Sequence, residues 1–343
     1  MTRPYIIGAA RYCEDAFVSN NISLILVKIF NGTNGKYNAV IGHFFQTAVN
    51  VSRKIKADGN RFVHYTSADT AYKIIHNKEL WLRNAAVMND FSEVSYGLEC
   101  LKAARASVAG HALTNALNAI DPSIITEADD LFWKWLPFFQ SDTFLTSFAV
   151  HEDDEDDIGR LSMWRAYGNV AIVFKNDAFV NPGPNPIEGV TVSPVSYFNA
   201  KEAGDALFQM AAAIEHNASG FRTIPKGLLV SNLFRAMRFS ILANKHPGFR
   251  EEREWRIIHS PSHDASPMPR QLVTVNGVPQ HICKFKWPGL NGDKQFIENI
   301  DRIIIGPAEH AWVMRNAFHD LLASNGISDA AQRVAVSNIP LRR

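Results

Sequence analysis

Short runs of β-branched and aromatic residues recur along the chain, and such runs are typical of β-strands. The strand-like stretches are RFVHYTS from residue 61, TFLTSFAV from 143, NVAIVF from 169, the strand pair QLVTVNGVPQHICKF from 271, and IDRIIIGP from 300. All are too short to be read as amphipathic helices. The pattern therefore predicts a core built on several short strands.

Helical periodicity separates these strands without a regular βαβ rhythm. ADTAYKIIHN, from residue 68, predicts a short helix capped by Asp69 or Thr70, and residues 89–110 predict a longer one. LSMWRAY, from residue 161, predicts a short helix ended by Gly168. A helix-rich section follows to about residue 244, and residues 309–325 predict a closing helix. We therefore expect an α+β fold with a compact mixed or antiparallel sheet core and several helices.

The stretch KHPGFREEREWRII, residues 245–258, concentrates charge in a strand-like context. As an extended strand it would carry Glu252, Glu254 and Arg256 on one face, because side chains alternate with period two. Trp255 and Ile257 would lie on the other face. A solvated edge strand and the wall of an active site are both compatible with this pattern.

Composition limits the class of protein. The 343 residues are 46% hydrophobic and 20% charged, with a net charge of +1, which predicts a globular chain without the basic field of a dedicated nucleic-acid binder. The three cysteines show no zinc or disulfide spacing. We find no apolar run long enough to span a membrane and no signal-peptide pattern, so we expect a soluble, cytoplasmic protein without a membrane partner. Its oligomeric state cannot be read from the sequence.

Two polar clusters each allow two interpretations. Asn89, Asp90 and Glu93 could form a functional cluster, but the spacing of Asp90 and Glu93 is also that of a helix capping box, which we favour. The six acids of residues 152–157 could bind a hard cation, although such a run is more often a solvated segment. We expect no metal.

Six motifs occur in the order found in a bacterial family, the domain of unknown function 2971. They are VHYTS, ELWL leading to NDFSE, TSF, MWRAYGNVAIVF, FREEREWRII and IIIGP, and they cover residues 61 to about 307. The chain is identified as a member of this family on these motifs. We divide it into an N-terminal extension (1–60), a family core and catalytic domain (61–310), and a C-terminal helix and tail (311–343).

A second resemblance concerns chemistry. His64, the Thr146-Ser147 pair and Glu252-x-Glu254 follow the order of the histidine, Ser-Thr-Ser and E-x-E motifs of ADP-ribosyltransferases, although the first serine is missing here. This resemblance implies a split-sheet fold, NAD as substrate and an unknown acceptor, either protein or nucleic acid. It implies a transferase or an NAD glycohydrolase, for example a toxin or a phage-defence effector. It implies catalytic roles for Glu254, Glu252, His64 and Ser147, and NAD contacts from His64, Tyr65, Ser147, Tyr167, Trp164 and Arg256.

The resemblance assigns each of these residues a role. Glu254 would offset the positive charge of an oxocarbenium-like transition state, and Glu252 would orient or deprotonate the acceptor. His64 would hold a ribose hydroxyl, Ser147 would support the carboxylate strand, and Arg256 would contact pyrophosphate or neutralise the glutamates. Nicotinamide would stack on an aromatic ring: Tyr65 or Tyr167.

Trp164 and Tyr167 lie on one face of their predicted helix, three residues apart, and such aromatic pairs are more often core than ligand platform. Two other functions remain open. One is metal-dependent phosphodiester cleavage, with a Mg²⁺ ion held by Asp90, Glu93, Glu252 and Glu254. The other is a non-enzymatic ligand-sensing or interaction module with a pocket formed by Trp164, Tyr167 and Arg256.

Overall fold

The structure is a computed structural model that describes residues 37–87, 91–176, 190–264, 268–275, 277–286 and 293–340. Asn89 and Asp90 lie outside these residues, as does most of the predicted N-terminal extension. The described chain folds into a mixed α/β structure around one open, mostly antiparallel sheet.

The sheet contains ten strands: β1 Arg61–Thr66, β2 Leu80–Asn84, β3 Phe144–His151, β4 Val170–Phe174, β5 Thr191–Pro194, β6 Glu254–His259, β7 Arg270–Val275, β8 Val278–Phe285, β9 Ile300–Ile305 and β10 Val334–Val336. Their main order is β10-β9-β4-β1-β3-β2-β8-β7, and β6 pairs with both β3 and β5. Only the β9–β10 pair is parallel among these strands. The predicted mixed or antiparallel sheet is confirmed.

Thirteen α-helices are present among the described residues: α1 Asn38–Ile41, α2 Gln46–Asp58, α3 Ala68–Asn77, α4 Phe91–Arg105, α5 Val108–Asn118, α6 Ser123–Ser141, α7 Leu161–Tyr167, α8 Ala200–His216, α9 Ala218–Arg222, α10 Lys226–Leu242, α11 Asp293–Glu298, α12 Ala311–Ser324 and α13 Ala330–Arg333. Helix α3 is capped by Ser67, whose hydroxyl accepts from the Thr70 amide, and not by Asp69 or Thr70. Ser67 has the extended backbone that an N-cap requires. No helix in the described ranges is long and apolar enough to cross a membrane.

Strand β3 is a three-way junction in the sheet. Along one side it pairs with β6, from Phe144 to Ala149. On its other side it pairs with β1 at the C-terminal end and with β2 at the N-terminal end. Strands β1 and β2 therefore separate beside the middle of β3, at residues 146–148.

The two faces of the sheet are covered differently. One face carries Phe148, Trp255 and Ile257 into an extensive core, which includes side chains of α3 and α12. On the other face, Ala149 packs in a small core with α7, and Leu145 packs in a core with the helices α4, α5, α6, α8 and α10. Because alternate residues share a face, Ser147 of β3 lies between these two apolar regions.

The stretch 245–258 differs from its predicted form. Pro247–Glu252 is a 3₁₀ helix, and Arg253 has a left-handed backbone with φ 46°, so the strand begins only at Glu254. Proline suits the first turn of such a helix, and the left-handed residue ends it. The prediction that Glu252 and Glu254 share one strand face is therefore wrong. The edge-strand interpretation is also wrong, because β6 is buried along its length between β3 and β5.

The acidic run is not a freely solvated segment. Its carboxylates pair with the nearby Arg160 and with three arginines from distant parts of the chain: Arg61, Arg253 and Arg302. Glu155 is buried and Asp156 is half-buried, whereas Asp154 and Asp157 are exposed. Opposite charges from neighbouring strands allow carboxylates in this run to leave water.

Candidate active site

Five charged side chains meet beneath the junction: Glu93, Lys245, Glu252, Glu254 and Arg256, which we call the charged cluster. Each is at most 9% exposed. Ionised groups are costly to bury unless they are paired and hydrogen-bonded. The cluster meets this condition through contacts between four separate segments of the chain.

Lys245 lies at the centre of the three carboxylates. Its Nζ lies 3.0 Å from Glu93 Oε1, 2.7 Å from Glu252 Oε2 and 3.2 Å from Glu254 Oε2. The ammonium also lies 4.9 Å from the centroid of the exposed Phe249 ring. Lys245 therefore holds Glu252 and Glu254 together although the two do not share a strand face.

Arg256 is the second cation of the charged cluster and is almost fully buried. Its Nε donates to Glu254 Oε1 at 2.7 Å, its Nη2 donates to Glu93, and its Nη1 donates to the Leu242 carbonyl at 2.9 Å. All three nitrogens of the guanidinium are engaged. Of the two roles implied for Arg256, these contacts fit charge neutralisation and not binding of a pyrophosphate.

Ser147 and Glu254 lie diagonally across the β3–β6 pair, on the same face of the sheet. The Ser147 hydroxyl donates to Glu254 Oε1 at 2.5 Å, a short distance typical of a hydrogen bond to an ionised oxygen. Ser147 is half-buried, and Glu254 is 5% exposed. The structure thus brings together Ser147 and Glu254, two of the four residues assigned to catalysis. The ion pairs of Lys245 place a third, Glu252, beside Glu254.

Glu254 is ionised over the whole physiological range. Burial alone would raise the pKa of Glu254, but the opposing charges of Arg256 and Lys245 and the hydrogen bonds from Arg256 and Ser147 outweigh it and lower the pKa to about 2. A carboxylate of this kind is suited to stabilising positive charge, since it does not take up a proton near pH 7.

This lowered pKa predicts how stability depends on pH. The pKa of Glu254 in the folded protein lies below its ordinary value of 4.5. The contribution of Glu254 to the free energy of unfolding is therefore fully present above about pH 4.5 and is lost as the pH falls towards 2. The contribution corresponds to about 3 kcal/mol. Urea unfolding of the wild type and of Glu254→Gln at pH 6 and near pH 2 measures it. We expect the stability difference between them to shrink by about this amount at low pH, and an unchanged difference would contradict the assignment.

Two tyrosines connect the charged cluster with its surroundings. The Tyr167 hydroxyl donates to Glu252 Oε1 at 2.9 Å, and the residue is 39% exposed. The Tyr197 hydroxyl accepts from the Glu254 amide at 2.8 Å. Burial, the largest contribution, raises the pKa of both hydroxyls, so both stay protonated at neutral pH. Tyr167 thus joins the buried carboxylates to the protein surface and presents an aromatic ring there.

His64 lies on the other side of the sheet from the carboxylates. Its neighbours Val63 and Tyr65 pack on the α7 side, so strand alternation places the imidazole on the opposite face, where it lies 5.4 Å from the Phe148 ring. Its Nδ1 lies 2.9 Å from the Ser147 carbonyl oxygen. Burial lowers the pKa of His64, so the ring is neutral at pH 7 and donates from Nδ1 to this carbonyl.

Trp164 and Tyr65 form part of the apolar core and not of the charged cluster. Trp164 is 0% exposed, and its ring meets Tyr65 edge-to-face with the centroids 4.8 Å apart. The Trp164 indole donates to the Ile158 carbonyl, and the Tyr65 hydroxyl accepts from the Arg160 amide. Neither ring offers a free face for stacking on nicotinamide, which leaves Tyr167 as the aromatic candidate among the predicted residues.

Lys245 is absent from the site residues that the sequence predicts. This residue begins the stretch that carries Glu252 and Glu254, and that proximity is the only local signal of its role. The sequence favours a capping box for Glu93 over a functional polar cluster, and its partner Asp90 lies outside the described residues. The Glu93 carboxylate reaches Glu252 and Glu254 through Lys245. Across the described ranges, however, no group of three or more His, Cys, Asp or Glu side chains is arranged to hold a metal ion.

Fold and site together define a mixed α/β protein with a buried carboxylate centre at a sheet junction. Residues 163–257 match the family described as Protein of unknown function (DUF2971), which confirms the predicted resemblance to this family over that stretch. The matched segment includes Tyr167, Lys245, Glu252, Glu254 and Arg256. Comparison with curated proteins and with solved structures gave no match.

Proposed function

We propose that the charged cluster is the catalytic centre of an enzyme that cleaves the nicotinamide–ribose bond of NAD, as an ADP-ribosyltransferase or an NAD glycohydrolase. The observation that carries this proposal is the pairing of Ser147 with an ionised Glu254. The resemblance implies a charged Glu254 supported by the strand of Ser147, and the 2.5 Å hydrogen bond and the lowered pKa of Glu254 support this. The separation of β1 and β2 beside Ser147 supports the split-sheet fold that the same resemblance implies.

The chemistry requires a fixed negative charge and no cofactor beyond NAD itself. When the bond from C1′ to the pyridinium nitrogen breaks, its electron pair leaves with neutral nicotinamide, and the ribose becomes an oxocarbenium-like cation. Glu254 stabilises this cation electrostatically, and electrostatic stabilisation of this kind is usually the largest catalytic term. Water or an acceptor nucleophile then forms the new bond to C1′ and releases a proton.

Glu252 and Tyr167 complete the proposed site. Glu252 orients the acceptor and receives its proton, and Lys245 holds it beside Glu254. Tyr167 stacks on the nicotinamide ring, since among the predicted aromatic residues it is the one that is exposed and touches the charged cluster. His64 acts in this proposal through the Ser147 carbonyl and not through a ribose hydroxyl.

The geometry favours this function over metal-dependent phosphodiester cleavage. Glu93, Glu252 and Glu254 do converge, as that alternative requires, but the ammonium of Lys245 already lies at their centre. A Mg²⁺ ion at the same point would have to displace a buried cation bound by all three carboxylates. The remaining alternative, a sensing module, differs from an enzyme in binding NAD without turnover.

Incubation of the purified protein with NAD tests the proposal. We expect chromatography to show release of nicotinamide, either with free ADP-ribose as the second product or, when a protein or nucleic-acid acceptor is added, with label transferred from adenine-labelled NAD. Release that is unaffected by EDTA separates this chemistry from metal-dependent cleavage. NAD binding without any release would support a sensing module instead.

Ser147→Ala is expected to lower kcat by about tenfold with little change in KM, because the hydroxyl orients Glu254 without changing its charge. Steady-state nicotinamide release measures both constants. Thr146→Ala, on the neighbouring residue of the same strand and the opposite face, is the matched control and should leave kcat within about twofold. Equal losses in the two variants would mean that the Ser147 hydroxyl has no particular role.

A further inference from the structure

The peptide turn between Glu252 and Glu254 has an unfavourable backbone. Arg253 has φ 46°, in the left-handed region that a non-glycine residue seldom adopts. This single residue sets the direction of both flanking carboxylates, because it ends the 3₁₀ helix that carries Glu252 and directly precedes the strand that begins at Glu254. A strained residue in this place is maintained only if its surroundings hold it.

Glu155, from the acidic run, holds this turn through two arginines. Its Oε1 accepts from Arg253 Nη2 at 2.7 Å and from Arg160 Nε at 2.7 Å. Arg160 Nη1 donates hydrogen bonds to the backbone of the turn, to the carbonyls of Glu251 at 3.0 Å and Glu252 at 3.2 Å. Glu155 thus fixes the side chain of Arg253 directly, and it fixes the carbonyls of Glu251 and Glu252 through Arg160.

Glu155 is itself rigidly placed. It is buried at the end of a short 3₁₀ helix, and its Oε2 accepts from the Glu152 amide at 3.0 Å, completing a reciprocal capping box. Arg160 is anchored as well, since its amide donates to the Tyr65 hydroxyl and its guanidinium also donates to the Val150 carbonyl. The set Glu155, Arg160 and Arg253, which we call the Glu155 bridge, therefore connects the turn to β1 and β3.

We propose that Glu155 is a positioning residue that sets the geometry of Glu252 and Glu254 by holding the Arg253 turn. It touches neither carboxylate, so it acts through the backbone. The kinetic part of this inference rests on the proposed NAD chemistry, whereas the structural part does not. The acidic run, for which the sequence favours a solvated segment, would thereby support the active site from outside the charged cluster.

Two measurements on Glu155→Gln test the inference. The first is hydrogen–deuterium exchange of peptides covering residues 247–256, which we expect to speed up by at least about tenfold while peptides from β9 keep their rate. The second is nicotinamide release, for which we expect kcat to fall by about tenfold or more with KM for NAD changed less than about twofold, since misplaced groups lose transition-state contacts.

Asp157→Asn is the matched control. Asp157 belongs to the same acidic run and loses the same charge, but it is exposed and pairs with Arg302, away from the turn. We expect wild-type exchange and wild-type kcat for it. The double variant Glu155→Gln/Arg253→Gln should lose less kcat than the product of the two single-variant losses, because the Glu155–Arg253 contact is common to both.

The outcomes separate the two proposals. If Glu155→Gln leaves exchange at 247–256 unchanged, or affects it no more than Asp157→Asn does, the positioning role is wrong whatever the activity. If the wild type releases no nicotinamide, the proposed function is wrong, and the exchange result still decides whether Glu155 holds the turn. If exchange rises and kcat does not fall, Glu155 supports the fold but does not position the carboxylates.

Discussion

Glu254→Gln is expected to lower nicotinamide release by about a hundredfold to a thousandfold with KM for NAD nearly unchanged. The substitution keeps the size of the side chain and an oxygen for the Ser147 hydroxyl, but it removes the negative charge that the developing ribose cation requires. Because the pKa of Glu254 is about 2, the wild-type activity should show no loss attributable to protonation of Glu254 down to about pH 4. Initial rates of nicotinamide release between pH 4 and 8 measure both effects.

Glu251→Gln is the matched control for this experiment. Glu251 is exposed, lies three residues away and loses the same charge. Its activity should stay within about twofold of the wild type. A thermal melt of each variant shows whether any loss comes from unfolding. If folded Glu254→Gln keeps wild-type turnover, the charge of Glu254 has no part in the reaction and the NAD proposal fails.

Arg256→Leu is expected to lower the free energy of unfolding by about 3–5 kcal/mol. The replacement removes the guanidinium from Glu93 and Glu254, and Lys245 is then the remaining cation of the charged cluster. The cost comes mainly from the unpaired buried charge and not from the lost contact itself. Urea unfolding at pH 7 measures the change.

Arg250→Leu provides the comparison. Arg250 is largely exposed and pairs with Glu202 on the surface, where such pairs contribute little, so we expect a loss of at most about 1 kcal/mol. Lowering the pH towards 3 should reduce the defect of Arg256→Leu, since protonation neutralises the stranded carboxylates. A defect no larger than that of Arg250→Leu would show that Arg256 is not needed to compensate the charged cluster.

Strands could be located from the sequence where hydrophobic alternation is strong. The runs that became β1, β3, β4, the β7–β8 hairpin and β9 all carry β-branched or aromatic residues in sufficient length. Strands β5 and β10 were missed because they have four and three residues, and their pairing depends on neighbours that are remote in the sequence. Short strands of this kind are specified by the sheet and not by their own pattern.

The turn at Arg253 could not be predicted from local preference. A charged residue between two glutamates in a stretch ending WRII indicates extended backbone, whereas the left-handed conformation comes from tertiary contacts with Glu152 and Glu155, about a hundred residues earlier. The same reason explains why the charged cluster was only partly predicted. Ser147 and Glu254 could be paired by resemblance, but the position of Glu93 and Lys245 depends on how α4 and α10 pack against the sheet.

Among the described residues, the charged cluster contains three carboxylates and two cations, an excess of one negative charge. The nicotinamide ring is positively charged while it is part of NAD and neutral once it is free. In a site shielded from water, the same field would attract the ring before cleavage and no longer hold it afterwards. In the proposed reaction, release of free nicotinamide would then be favoured by electrostatics alone, without any movement of the chain.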